Sequence, residues 1–161
     1  MRTWVDASTV IALDSIGEVE ILRELLGRVT LTKEVAEEVF TGKESRRVRD
    51  ARGEWLEVRE VTGALERWRS LGLAEGEASM FLTPAGDRLV LDESPARIVA
   101  ESEGRDYVGL LGLLVAGVDR GRVPVTRARD VLQRLLRSGF RVSTDLYDEV
   151  MRALDDLEGA R

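Results

Sequence analysis

The sequence predicts an α/β protein in which a central parallel sheet is covered by helices on both faces. Short apolar runs alternate with stretches whose apolar residues recur at helical spacing, a pattern typical of parallel sheets. The chain has 161 residues, of which 43% are hydrophobic and 34% are charged, and this suits a soluble domain with a substantial core. We therefore expect a single domain over residues 1–161, with C-terminal helices at about 126–157 as an extension.

The N-terminal part of the chain is predicted to contain three strands separated by helices. Apolar runs and the alternating run "WLEVREV" indicate strands at 2–5, 28–31 and 55–61. Helical spacing of apolar residues predicts helices at 8–13 and 18–26. Thr32 is predicted to cap a third helix, whose apolar stripe is Val35, Val39 and Phe40. The charged stretch "KESRRVRDARGE" after Gly42 is expected to be solvated.

The rest of the chain continues the alternation. "RLVLDE" (88–93) is predicted as a fourth strand and "DYV" (106–108) as a fifth. Helices are expected at 75–82, 95–103, 110–120, 126–138 and 144–157. The helix at 110–120 is aliphatic, which predicts burial, and its glycines allow close packing. The same helix is a candidate face for a homodimer.

Two missing residue types restrict the chemistry. The chain has no cysteine and no histidine, which excludes disulfides, thiolate metal sites, cysteine nucleophiles and Ser-His-Asp triads. Metal chemistry would fall to carboxylates, which as hard oxygen ligands favour Mg²⁺ or Mn²⁺. The net charge of −6 is unlike that of a typical basic nucleic-acid binder. No signal peptide or membrane-spanning run is recognisable, so we expect a cytoplasmic protein without a membrane partner.

Two predicted strands end in acidic residues. Asp6 follows the first strand, and Asp92 and Glu93 end the fourth. Ligands of parallel sheets bind beyond the carboxyl ends of the strands, where the strand order reverses, so these acids would converge if the two strands are neighbours there. Asp6 alone is explained equally well as an N-cap of the following helix, a role that Ser8 also offers.

Further acids lie on predicted helices. Glu38 is beside the apolar stripe of its helix and can face a cleft, whereas Glu37 is expected to be solvated. Glu77 begins the helix at 75–82, where a helix-dipole role and a ligand role explain it about equally well. Acids from four separate elements are what a divalent-metal nuclease needs to hold its ions beside a phosphodiester.

The stretch "DASTV" (6–10) matches three other acidic sites incompletely. A haloacid-dehalogenase-type phosphatase has a second acid at the position of Ser8, and a von Willebrand-type adhesion site has a hydroxyl at the position of Val10. A receiver domain needs a lysine after a late strand, and no lysine follows Lys43. The sequence therefore disfavours these three classes.

An ordered set of fragments resembles PIN-domain proteins. The fragments are "WVDASTVIAL", "VTLTKEVAEEV", "LAEGEASMF", "LVLDESPARIVAESEG", "VGLLGLLVAGVDRGRV" and "LQRLLRSGFRVSTDLYDEVMRAL". They are most similar to a prokaryotic subgroup related to the toxins of VapBC-type toxin–antitoxin pairs. The resemblance implies a three-layer α/β/α fold and cleavage of single-stranded RNA with Mg²⁺ or Mn²⁺. RNA and an antitoxin protein are the partners it implies.

The resemblance also implies roles for individual residues. Glu93 is a further candidate metal ligand, Ser8 is a hydroxyl that would support the first acid, and Arg97 is a candidate phosphate contact. The acids that would be catalytic and hold the metal are Asp6, Glu38, Glu77 and Asp92.

The chain departs from the subgroup at one position. Its pattern Gly-Glu-x-Glu-Ala has a second acid where this chain has Ser79. Glu77 points about 200° around the helix from Ser79, so it does not replace that acid directly. The alternative function is therefore a PIN fold with a weakened site that binds RNA or a protein.

Overall fold

The computed structural model describes residues 1–92 and 95–160. Within them, one five-stranded parallel sheet has the order β3-β2-β1-β4-β5. The predicted α/β fold with a central parallel sheet is confirmed. The strands are β1 (Thr3–Val5), β2 (Val29–Thr32), β3 (Leu56–Arg59), β4 (Arg88–Val90) and β5 (Tyr107–Val108).

Helices follow each strand, as the alternating pattern predicts. Those of the described residues are α1 (Ala7–Ser15), α2 (Ile21–Leu26), α3 (Lys33–Val39), α4 (Arg46–Ala51), α5 (Glu66–Arg69), α6 (Glu75–Met80), α7 (Pro95–Ser102), α8 (Leu110–Asp119), α9 (Val125–Arg137) and α10 (Thr144–Gly159). Thr32 caps α3 as predicted, because its hydroxyl accepts a hydrogen bond from the amide of Val35.

The charged stretch after Gly42 is not wholly solvated, so that prediction was wrong in part. The hydroxyl of Ser45 accepts a hydrogen bond from the amide of Val48 and begins α4. Val48 and Ala51 are buried one helical turn apart. Helix α5 was also not predicted. Its buried Trp68 stacks on the ring of Phe81 in the core.

The order of the strands reverses beside β1. The chain runs outward from β1 through β2 to β3, then returns to place β4 on the other side of β1. Val5 pairs with Val90 at the end of both strands, and the amide of Asp6 donates to the carbonyl of Val90 at 3.1 Å. The carboxyl ends of β1 and β4 are therefore adjacent, as the convergence of the strand-end acids requires.

The opposite ends of the same two strands are joined by Asp87. Its carboxylate accepts one hydrogen bond from the amide of Arg2 at 3.0 Å and another from the indole nitrogen of Trp4 at 2.9 Å. Asp87 and Trp4 are both buried. Polar contacts thus fix β1 against β4 at both ends of their short ladder.

The C-terminal helices are attached to the first half of the chain. Arg127 and Arg134 of α9 both bind Glu18, in the turn before α2, with nitrogen–oxygen distances of 3.1 and 2.8 Å. Gly117 of α8 packs on Leu25 of α2 so closely that a Cβ atom would overlap the leucine. This glycine therefore serves packing within the chain, and the homodimer stays a prediction. Among the helices described, none is both long and apolar enough to cross a membrane.

Candidate functional site

Asp6 joins three elements at the carboxyl end of β1. It is 3% exposed. Its Oδ1 accepts a hydrogen bond from the amide of Thr9 at 3.0 Å and so caps α1, while its Oδ2 accepts one from the amide of Asp92 at 2.7 Å. The helix cap and the position at the switch point, which the sequence left as alternatives for Asp6, occur together.

The environment of Asp6 disfavours its negative charge. Burial raises its pKa from 3.8 to about 6, although hydrogen bonds from Thr9 and from the amide of Asp92 oppose the rise. The negative charge of Asp92 raises the pKa further. No basic side chain of the described residues forms an ion pair with Asp6. The carboxyl group thus has unused capacity for a cation.

Thr9 binds Asp6 through its backbone amide, and a supporting role for Ser8 stays a prediction. With Asp6 as the N-cap, Thr9 is the third helical residue, and its amide is one that an N-cap side chain can reach. Ser8 is exposed on the first turn, whereas Thr9 is 1% exposed beside the carboxylate.

A second acidic pair forms between α3 and α6. Glu38 lies against Gly76, where a Cβ atom would overlap the Glu38 carboxylate. Much of Glu38 is open to solvent, yet partial burial of its carboxyl group and the negative charge of Glu77 raise its pKa. The amide of Gly76 opposes that rise, and Glu75 adds to it. Glu37, on the same helix, is exposed as predicted.

Ser79 is buried in a closed hydrogen-bond network at the end of β2. Its hydroxyl donates to the carbonyl of Gly76 at 2.6 Å and lies 2.7 Å from the hydroxyl of Thr32. Because the single hydroxyl hydrogen of Ser79 is donated to Gly76, Thr32 is the donor to Ser79. Position 79 therefore contacts the carboxyl end of β2, the strand next to β1.

Asp92 and Arg97 line a cavity of about 140 Å³ between β4 and α8, and Arg141 contributes to its wall. The Nε of Arg97 donates to the carbonyl of Leu91 at 3.1 Å. The guanidinium group of Arg97 is also pressed against Gly109, which precedes α8 and leaves no room for a side chain. Arg97 is thus held in place beside Asp92. Glu93, the further predicted ligand, lies outside the described residues.

The donor chemistry of these residues suits a divalent cation, but their side chains do not form one cluster. All four acids supply carboxylate oxygens, the ligands that Mg²⁺ and Mn²⁺ prefer. The pKa values of Asp6 and Glu38 are both raised in part by a neighbouring acid. In residues 1–92 and 95–160, however, no three carboxylates lie close enough together to hold one ion. The acids are arranged as two pairs, Asp6 with Asp92 and Glu38 with Glu77.

The fold and the acids at its switch point define an α/β protein with carboxyl groups at the adjacent ends of two parallel strands. A family model described as a PIN domain matches residues 3–156. The chain therefore belongs to the PIN-domain family. PIN domains generally use divalent metal ions. No curated protein and no solved structure matches the chain.

Proposed function

We propose that the protein is a divalent-metal-dependent ribonuclease that cleaves phosphodiester bonds of single-stranded RNA. The observation that carries the proposal is the contact between Asp6 and Asp92 at the reversal of strand order. Burial and the charge of Asp92 raise the pKa of Asp6 to about 6, and carboxyl groups with raised pKa values cluster at functional sites. Membership of the PIN-domain family supports the same conclusion.

The acids would hold the metal ion, and Arg97 would bind the phosphate. The two backbone amides that bind Asp6 fix the orientation of its carboxylate. Asp6, Asp92, Glu38 and Glu77 would hold Mg²⁺ or Mn²⁺, with Glu93 as a further ligand. The bound ion would activate a water molecule and neutralise charge on the phosphodiester. Arg97, held by the carbonyl of Leu91, would orient a phosphate next to Asp92.

A role as the toxin of a toxin–antitoxin pair is part of this proposal. A ribonuclease that cleaves cellular RNA has to be inhibited by a partner. An antitoxin protein acting in the cytoplasm would be that inhibitor. A small neighbouring gene with a DNA-binding pattern would support this role.

One observation favours a second candidate function, a PIN fold that binds RNA or a protein without cutting. The hydroxyl pair of Thr32 and Ser79 fills the place where a relative would have an acid. Without that acid, the two described carboxylate pairs stay separate. A cation would then be held more weakly, so the protein would bind RNA or a protein partner without cleaving RNA.

The test is cleavage of single-stranded RNA in Mn²⁺ or Mg²⁺ by matched variants. Glu38→Gln and Glu37→Gln remove one charge from neighbouring positions of α3, but only Glu38 faces α6. We expect Asp6→Asn and Glu38→Gln to lower the rate at least about 100-fold, since each removes a proposed metal ligand. Glu37→Gln should cleave like the wild type.

The outcomes separate the two functions. Equal rates for the wild type and Asp6→Asn would show that the cleavage comes from elsewhere and end the ribonuclease proposal. RNA binding that is independent of metal, with no cleavage by the wild type, would establish the binding module instead.

A further inference from the structure

A polar cavity of about 480 Å³ opens near the starts of β1 and β2 and along β3. Three arginines line it, namely Arg2, Arg28 and Arg59. Thr30 lies in its wall, and Glu57 is its one carboxylate. Thr3, at the start of β1, also lines it, three residues before Asp6, and this corresponds to about 10 Å along a strand. The described acids of the proposed metal site, Asp6, Glu38, Glu77 and Asp92, do not line it.

The charge in this cavity is positive, in contrast to the chain as a whole. Glu57 pairs with Arg59, whose Nη2 is 2.8 Å from a carboxylate oxygen. The hydrogen bond from Arg59, and then the charges of Arg59, Arg2 and Arg28, hold the pKa of Glu57 below its ordinary value. The side chains of Arg2 and Arg28 form no ion pair within the described part of the chain. The cavity therefore holds two guanidinium groups that no ion pair of the described residues neutralises, in a protein whose net charge is −6.

Thr30 offers a further polar group in the wall of the cavity. The residue is 2% exposed and lines the cavity. Its hydroxyl is not one of the enclosed, unpartnered polar groups of the described residues, so it can donate a hydrogen bond to a group that enters the cavity.

We infer that this cavity binds a phosphate group. Guanidinium groups bind phosphate oxygens through paired hydrogen bonds, and a threonine hydroxyl can donate a further one. The cavity is large enough for a phosphate that carries an ester substituent. The inference does not rest on the proposed function, because the acids of that site lie elsewhere. The phosphate would come either from a nucleic acid strand or from the free anion.

Titration of the full chain with inorganic phosphate at constant ionic strength tests the inference. Amide shifts in NMR spectra should saturate for Thr30 and Glu57. Arg28→Gln should weaken binding about tenfold, the value of one charge-assisted hydrogen bond. Glu57→Gln should strengthen it roughly threefold, because it removes the one opposing charge. Arg69→Gln, an exposed arginine of α5 without an ion pair in the described structure, is the matched control and should bind like the wild type.

Two further measurements complete the test. Thr30→Val keeps the shape of the side chain, so a weaker affinity with an unchanged melting temperature assigns the loss to the hydroxyl. A single-stranded oligoribonucleotide that displaces phosphate identifies a nucleic acid as the source, and phosphate binding that it does not displace identifies the free anion. Absence of saturable binding, binding of acetate as tight as that of phosphate, or equal affinity in Arg28→Gln and the wild type would overturn the inference.

Discussion

The carboxylate of Asp6 accepts a hydrogen bond from the backbone amide of Asp92, 2.7 Å away and 86 positions later in the chain. Together with the hydrogen bond from the amide of Thr9, this bond lets one side chain at the end of β1 cap α1 and fix the end of β4. Asp6 is therefore part of both the fold and the candidate site. Variants of Asp6 have to be measured for stability as well as for activity.

The raised pKa of Asp6 predicts that its contribution to stability falls as the pH rises. Between 3.8 and about 6 the folded state binds a proton that the unfolded state has released. The free energy of unfolding should therefore decrease across this window, by on the order of 3 kcal/mol. Below the window both states are protonated, and above it both are ionised. Chemical denaturation at pH 4, 5, 6 and 7 measures the effect.

Asp6→Asn isolates this effect from other titrating groups. From pH 4 to pH 7, the free energy of unfolding of the wild type should fall relative to that of Asp6→Asn. Saturating Mn²⁺ at pH 7 should restore about 2–3 kcal/mol to the wild type alone, because the ion binds the charged form. A difference that grows in favour of the wild type with rising pH would contradict the prediction.

Gly76→Ala should displace the side chain of Glu38 without destabilising α6. A methyl group at position 76 overlaps the end of the flexible Glu38 side chain, which can move aside. We expect little change in the melting temperature, since alanine also favours the helix by about 1 kcal/mol. The rise in melting temperature with Mn²⁺ should be lost. Gly159→Ala, which meets no neighbour in α10, should keep the full rise.

Ser79→Asp should place a third carboxylate at the carboxyl ends of the strands. Without divalent ions, a buried charge beside Thr32 should destabilise the protein by about 2–4 kcal/mol. With Mn²⁺, the melting temperature should rise further than that of the wild type, because the added ligand binds the ion. Ser79→Asn has nearly the same shape without the charge. Equal responses of these two variants to Mn²⁺ would show that position 79 does not reach the site.

Asp87→Asn should have the opposite pH dependence to Asp6→Asn. Burial opposes ionisation of Asp87, but hydrogen bonds from Trp4 and the amide of Arg2 hold its pKa below the ordinary value. Asparagine can accept only one of these bonds, so we expect a loss of about 1–3 kcal/mol at pH 7. The loss should shrink as the pH falls below 3.8, where the wild type also loses the ionised form. Asp50→Asn, exposed on α4, should change stability little.

The strand ends were predictable from the sequence because their signal is local. An apolar run that stops at an acid marks the end of a strand, and the rule for parallel sheets then brings Asp6 and Asp92 together. The Thr32 cap was predictable for the same reason. Helix α4 was missed because charged neighbours hide the two buried positions that hold it, Val48 and Ala51.

The contacts between distant elements were not predictable. Nothing near Gly76 in the sequence shows that Glu38 lies against it, because α3 and α6 meet only in the folded chain. The pairing of Ser79 with Thr32 depends on the same contact. The bond from the amide of Thr9 to Asp6 was not predicted either, because it depends on α1 beginning directly after Asp6.

The strand order also determines when a newly synthesised chain can complete its acidic site. The first half of the chain can pair β1, β2 and β3, but β4 joins β1 only after position 92 has left the ribosome. Until then, β1 is an open edge and Asp6 has no second strand beside it. Under the proposed ribonuclease function, this delay means that the nascent chain lacks the assembled site while only its first half has emerged beside its own messenger.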